Sequence, residues 1–248
     1  MGTLINVVAI IGGGLIGLVA GKIINERFQK TISLAMGLGI IALAVSGFVA
    51  EMLSISQSGA GSDSVFDITT HGTYVILFSL VLGGIIGELI DIDSQMERLG
   101  TWLKMKTGNA RDIAFVDGFV TASLTVCIGA MAVLGAIMDG VSGDYSLLVT
   151  KAILDFVIIM VMTASMGKGC IFAAIPVGLW QGAITLLAKA LEPIMNDLAL
   201  SNLSLVGNIL IFCIGINIII EGRGRIKVAN LMPAIIFAVI AAYIPFLN

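Results

Sequence analysis

The sequence predicts an all-α polytopic membrane protein, with about eight transmembrane helices in one domain spanning residues 1–248. Three observations predict it. The chain is 58% hydrophobic and 12% charged, with a mean hydropathy of +1.09, whereas a soluble domain carries about 25% charged residues. Its apolar residues form eight stretches, near 3–21, 31–50, 73–90, 113–138, 147–167, 170–188, 206–221 and 229–247. Most of these approach the roughly 20 residues that cross a hydrocarbon core. Finally, the cations between the stretches fall on alternate sides.

The first loop holds Lys22, Arg27 and Lys30, and the third holds Arg98, Lys104, Lys106 and Arg111. Lys168 lies in the fifth loop, and Arg223, Arg225 and Lys227 lie in the seventh. Eleven of the thirteen basic residues therefore share one side, and only Lys151 and Lys189 fall on the other. Basic loops stay in the cytoplasm, so both termini are predicted outside. No cation precedes the first apolar run, so residues 1–21 read as an uncleaved span. The second loop is acidic, with Glu51, Asp63, Asp67 and His71. Glu88, Asp91, Asp93 and Glu97, at the end of the third span, read as a solvated face. The longest loops, near 51–72 and 91–112, are too short for an independent core.

The same inventory excludes several functions. With His71 the only histidine, a His-based zinc site or Ser-His-Asp catalysis has too few ligands. No Gly-rich phosphate loop with its lysine occurs, and no basic patch interleaved with aromatics suggests nucleic acid. Cys127, Cys170 and Cys213 lack C-x-x-C spacing and read as apolar packing residues. The expectation is a protein that is not an enzyme and has no cofactor beyond a bound sodium ion or proton.

Internal repeats organise the chain. Gly13-Gly14-Leu15-Ile16-Gly17 reappears as Gly83-Gly84-Ile85-Ile86-Gly87, and Ser33-Leu34 with Gly39 and Ala42 matches Ser123-Leu124 with Gly129 and Ala132. The first two spans and the next two thus read as parallel copies of one hairpin. A third copy, Gly178-Leu179-Trp180-Gln181-Gly182 with Cys213-Ile214-Gly215, enters from the opposite side. Repeat-like units accordingly lie near 1–55, 73–140 and 170–222, and spans three to eight also read as an inverted three-helix repeat. Inverted repeats build alternating-access transporters with a site near the midplane. Glycines four apart, as in Gly17/Gly21, Gly83/Gly87 and Gly178/Gly182, let neighbouring backbones approach. They fit contacts between helices of one chain or a homo-oligomer. Pro176 and Pro233 fall within apolar runs and predict kinks.

Polar residues inside the spans carry the functional signal, because a carboxylate at mid-membrane costs about 2.5–3.5 kcal/mol on insertion scales. Asp155 lies deep in the fifth span, with Lys151 one turn before it on the same face. The two read either as a structural ion pair or as a charge-compensated site where a cation or proton displaces the lysine. Asp144 reads as the N-cap of that helix. The fourth span opens with Asp117, and Thr121 and Thr125 follow on its face. Hydroxyls above a carboxylate suit a hard cation or a proton relay, although such hydroxyls also bond their own preceding turn. Asn6, Gln181, Asn208 and Asn217 add buried amides. An aspartyl hydrolase built from Asp117 and Asp155 is disfavoured, since one lies near the surface and the other near the middle.

Several motifs carry a family resemblance. Gly118-Phe119-Val120-Thr121-Ala122-Ser123-Leu124 followed by Cys127-Ile128-Gly129-Ala130-Met131-Ala132, and Asp139-Gly140 with Gly143-Asp144, are similar to a bacterial inner-membrane family. So are Ala174-Ile175-Pro176-Val177 and Lys227-Val228-Ala229-Asn230-Leu231-Met232-Pro233-Ala234. The chain resembles, from Asn6 to Pro233, the family called domain of unknown function 554, the YqgA/YdfK-like proteins. That family often has Glu at the position of Asp117, which keeps a charged role there. The resemblance implies a multi-pass inner-membrane protein and a transporter of open substrate.

The sequence therefore leads to secondary transport of a small ion or solute, coupled to protons or sodium. Asp117 and Asp155 would bind the cation, with Lys151 as displaceable counter-charge. Thr121, Thr125, Gln181 and Asn217 would add oxygen and amide contacts. The alternatives are a non-transporting assembly protein, which self-associates through its glycine faces, and a passive channel.

Overall fold

The computed structural model describes residues 1–58, 65–70, 72–220 and 225–246. Asp63, His71 and Arg223 lie outside the described residues, as does the side chain of Asp67. In order, the elements are α1 (Gly2–Ile23), α2 (Glu26–Met52), β1 (Leu53–Ser58), β2 (Val65–Thr70), α3 (Thr73–Ile90) and α4 (Ile92–Lys106). They continue with α5 (Phe115–Cys127), α6 (Ala130–Val141), α7 (Ser146–Met166), α8 (Ala174–Leu191), α9 (Asp197–Ile220), α10 (Val228–Leu231) and α11 (Ala234–Ala241). The body is all-α. A two-stranded antiparallel hairpin, with Leu53 opposite Thr70, stands in the predicted second loop.

Among the described residues, six helical stretches are long and apolar enough to cross a membrane, and α5 with α6, bent by 62° at their junction, add a seventh if the pair counts as one span. The eighth apolar unit, Val228–Ala241, is shorter. The prediction of eight spans thus holds approximately, with corrections at the breaks. The expected continuous fourth span, 113–138, is two half-helices, because Gly129 takes φ +145°, outside the helical range. Pro233 separates α10 from α11. Pro176 sits in the first turn of α8, just past the change from 3₁₀ to α-helix. The sixth span begins as a 3₁₀ helix over Lys168–Ala173. The third loop is also more ordered than expected, since α4 occupies most of it.

Lipid is as apolar as leucine, so helices in it gain little from hydrophobic burial and depend on close packing. Two matching glycine motifs provide it. A Cβ at Gly13 would overlap the carbonyl oxygen of Phe156, and one at Gly17 that of Met160, so α1 lies directly on the backbone of α7. A Cβ at Gly83 would overlap Ala234 and one at Gly87 the Asn230 carbonyl, which seats α3 on α10 and α11. The opposite faces of α1 and α3 carry Leu4, Val8, Leu77 and Val81, and α8 carries Leu186, 88% exposed, as an oil-facing belt requires.

The broken helix α5 is the centre of the bundle: every residue from Gly118 to Cys127 is buried. One face, with Phe119, Val120 and Leu124, packs on Leu210, Ile214 and Ile218 of α9. The other, with Ala122 and Val126, packs on Ile10 of α1 and on Ile159 and Met162 of α7. Whatever happens at the end of α5 therefore happens inside the protein.

Candidate functional site

The break after α5 leaves a carbonyl without its helical donor. The last α-helical bond of α5 runs from Ile128 N to Leu124 O at 3.1 Å, and α6 restarts with Ala132 N on Gly129 O at 3.2 Å. The Val126 carbonyl is thus one of the orphans that every helix C-terminus exposes. Lys151 of α7 supplies the donor: its Nζ donates to Val126 O at 2.8 Å. The negative end of the half-helix suits a cation there. The same ammonium pairs with Oδ2 of Asp155, as the spacing of four on one helix predicts. Both side chains are deeply buried, 8% and 5% exposed.

Two amides complete this centre. Asn6 of α1, held opposite α7 by the glycine contacts above, donates through Nδ2 to Asp155 Oδ2 at 2.9 Å and to Gln181 Oε1 of α8 at 3.1 Å. The carboxylate dictates this orientation, because only the NH₂ end of Asn6 can face it. Gln181 must then offer its oxygen to Asn6. As a result Asn6 Oδ1, an acceptor, and Gln181 Nε2, a donor, are both buried without a partner among the described residues. Both atoms lie beside the ion pair, one able to accept and the other to donate a further hydrogen bond.

The other predicted residues form a separate place. Asp117, in the first turn of α5, accepts from Arg225 Nη1 at 2.9 Å. With Thr121, Lys30, Ser33, Ser165 and Asn217 it lines a cavity of about 720 Å³ at the end of the bundle where the basic residues gather. Lys151 and Asp155 do not line it. Nine residues separate Asp117 from Val126, about 13 Å along the helix axis. The two carboxylates therefore do not share one pocket; α5 runs between them.

Two expected ligands are committed to local work. Thr125 Oγ1 donates to Thr121 O at 2.7 Å, the bond to its own preceding turn. Asn217 clamps the chain beyond α9, accepting from Ile226 N and donating to Ile226 O, both at 2.8 Å. Asp144 is not itself the N-cap of α7, which is Tyr145, but its carboxylate accepts from Ser146 N at 2.9 Å. That bond holds its carboxyl below the usual carboxylate range.

A third polar cluster stands where the sequence reading placed a solvated face: Glu88 and Glu97 are exposed as expected, but Asp93 is buried. Asn230 of α10 donates to Glu88 at 2.6 Å and accepts from Asp93 N at 2.7 Å, so its side chain caps α4 from another element. Lys227 donates to Glu88 at 3.1 Å, and this partner holds its ammonium above the usual lysine range. Burial raises the carboxyl of Asp93. The signal missed was an asparagine in an apolar run. At the far end of the bundle, Asp139 of α6 accepts from the Met1 amine at 2.9 Å.

Fold and buried centre together define the class, a polytopic all-α membrane protein with an ion pair inside its bundle. The chain belongs to the family described as "Protein of unknown function (DUF554)", whose pattern matches residues 1–243. It is similar to "Uncharacterized membrane protein YdfK" of Bacillus subtilis (strain 168), 29% identical over 243 residues, covering 98% of this chain and 96% of that one. "Uncharacterized protein YqgA" of Escherichia coli (strain K12) is 21% identical over 242 residues, with 96% and 94% covered. No solved structure matches the chain.

Proposed function

We propose that this protein is a secondary transporter of a small ion or solute in the bacterial inner membrane, with both termini outside, and that the Lys151–Asp155 pair is its charge-exchange centre. The observation that carries the reading is the tethered cation. Lys151 occupies, between a half-helix carbonyl and a carboxylate, the position an alkali cation or a protonated group takes in discontinuous-helix transporters. Protonating Asp155, or bringing in a competing cation, removes the attraction that keeps Lys151 on Val126 O. The orphaned Asn6 and Gln181 atoms then serve the incoming group. The cavity around Asp117 is the approach from the basic side, and the Asp117–Arg225 bridge is its latch. The alternation of basic loops supports the orientation. No catalytic step is part of this reading.

The assembly alternative is weakened by the packing. The glycine faces of α1 and α3 are already covered by α7 and by α10 and α11, so of the three glycine pairs only Gly178/Gly182 of α8, with nothing within 4 Å of a Cβ at Gly182, leaves a face for self-association. The decisive experiment is flux in proteoliposomes under an imposed pH or sodium gradient. Asp155→Asn, which strands the buried lysine, abolishes gradient-driven flux of a responsive ion, and so does the charge-free Lys151→Met/Asp155→Leu, which keeps its fold. Unchanged flux in either variant sinks the exchange mechanism, and gradient-independent conductance in the wild type would identify a channel.

A further inference from the structure

α4 is the one long helix in the described chain that is too polar to cross the membrane, and its anchoring fixes where it lies. It leaves α3 through a single residue, Asp91, in the left-handed conformation (φ 53°, ψ 58°). It returns through residues 107–114 to the start of α5. Both neighbouring spans meet it on the same side, so its 15 residues, about 22 Å, must run along that surface. Its inner face is taken: Leu103 is buried against Phe115 and Phe119, and a Cβ at Gly100 would meet Phe119 at 2.8 Å.

The outer face has a different character. Arg98, Trp102, Met105 and Lys106 stand four, seven and eight residues along from the first, within one stripe of the helix. Trp102 is 57% and Met105 64% exposed. They border a groove of about 530 Å³ that Arg98 and Thr101 also line. Ile113, on the return to α5, is 93% exposed at the same end of the bundle. Such a stripe needs a partner with oil and negative charge a few ångströms apart. Water does not satisfy the aromatic and apolar groups, and free phosphate does not cover them.

We infer that α4 is an interfacial helix that binds anionic phospholipid, with Trp102 and Met105 at the acyl boundary and Arg98 and Lys106 on the headgroup phosphate. Charge complementarity selects this lipid, because Glu97 is the only acid beside those cations on the exposed turns of α4. An interfacial aromatic with flanking cations is also how surface helices are seated. The inference stands independently of the transport reading.

The test uses the full chain carrying Trp180→Phe, so that Trp102 is the sole tryptophan, in nanodiscs of phosphatidylcholine with a minor share of phosphatidylglycerol. One lipid at a time carries brominated acyl chains, which quench a neighbouring indole. Brominated phosphatidylglycerol quenches Trp102 beyond its bulk share, by roughly fivefold for each cation engaged. The excess shrinks with added salt and is lost in R98Q/K106Q, whose thermal unfolding stays that of the parent. Equal quenching by both lipids overturns the inference, and so does an excess that survives R98Q/K106Q. Absence of quenching by either lipid would place α4 against protein or water. Competition by inorganic phosphate at matching concentration would reassign the site to a free anion. Either of those results overturns it too.

Discussion

Two carboxylate–cation pairs, at opposite ends of α5, illustrate how surroundings decide what a pair is for. Asp117 meets Arg225 in an open cavity, with 67% and 29% of their side chains exposed. Asp155 meets Lys151 with almost none exposed, beside an orphan carbonyl and two half-satisfied amides. The residue chemistry is nearly the same. In the cavity, water screens the attraction and either partner can leave cheaply. Inside the bundle neither charge can be left alone, so moving one must be coupled to replacing it. Coupling of that kind is what the proposed transport requires, and of these two pairs the inner one has the burial for it.

The largest predicted effect breaks the inner pair. Lys151→Met leaves Asp155 buried without its cation and lowers stability by about 3–5 kcal/mol, read as thermal or detergent-induced unfolding of the purified protein. Adding Asp155→Leu removes the stranded charge and recovers most of that loss, yet transport stays absent. A double variant as unstable as the single one would show that the pair is not the energetic unit proposed.

The next effect sharpens the role of the break. Gly129→Ala meets no atom within 4 Å, so only its φ of +145° opposes the new side chain. Strain of that kind costs about 1–3 kcal/mol. The glycine that the sequence motif aligns with it, Gly39, also has nothing within 4 Å of a new Cβ, but it lies inside the continuous helix α2. Gly39→Ala leaves stability unchanged or raises it by up to about 1 kcal/mol, since alanine is the better helix former. Equal effects at the two positions would mean that the break is not held by Gly129.

The smallest effect concerns the outer pair. Arg225→Gln changes stability by about 0–1 kcal/mol, as exposed ion pairs do, and whatever change there is fades at high salt. A loss comparable to that of Lys151→Met would erase the distinction between the two ends of α5.

The eight apolar stretches were legible because spanning length and the alternation of cations are local properties of the chain. The Lys151–Asp155 pair was legible for the same reason, since one helical turn joins the two residues. α4 was not, because a half-polar helix lying at a surface lacks the long apolar run that marks a span. The break at Gly129 was hidden among 30 glycines, most of which serve other ends. Thr125 and Asn217 were expected to face a ligand, yet they bond backbone close by in sequence. A hydroxyl or amide chooses between such partners only when the neighbouring helices are in place.

The amino-acid sequence by itself determined that this chain lives in a membrane, roughly where it crosses, and that Lys151 and Asp155 are committed to the interior. Those follow from transfer free energies and helical periodicity, which each segment carries alone. The tertiary structure decided which residues meet. Asn6 and Asp155 are 149 positions apart, and Asn6 and Gln181 are 175 apart. Their junction exists because glycines bring α1 onto α7 and a half-helix ends beside Lys151. Contacts of that kind depend on how whole helices pack, and no local pattern encodes them.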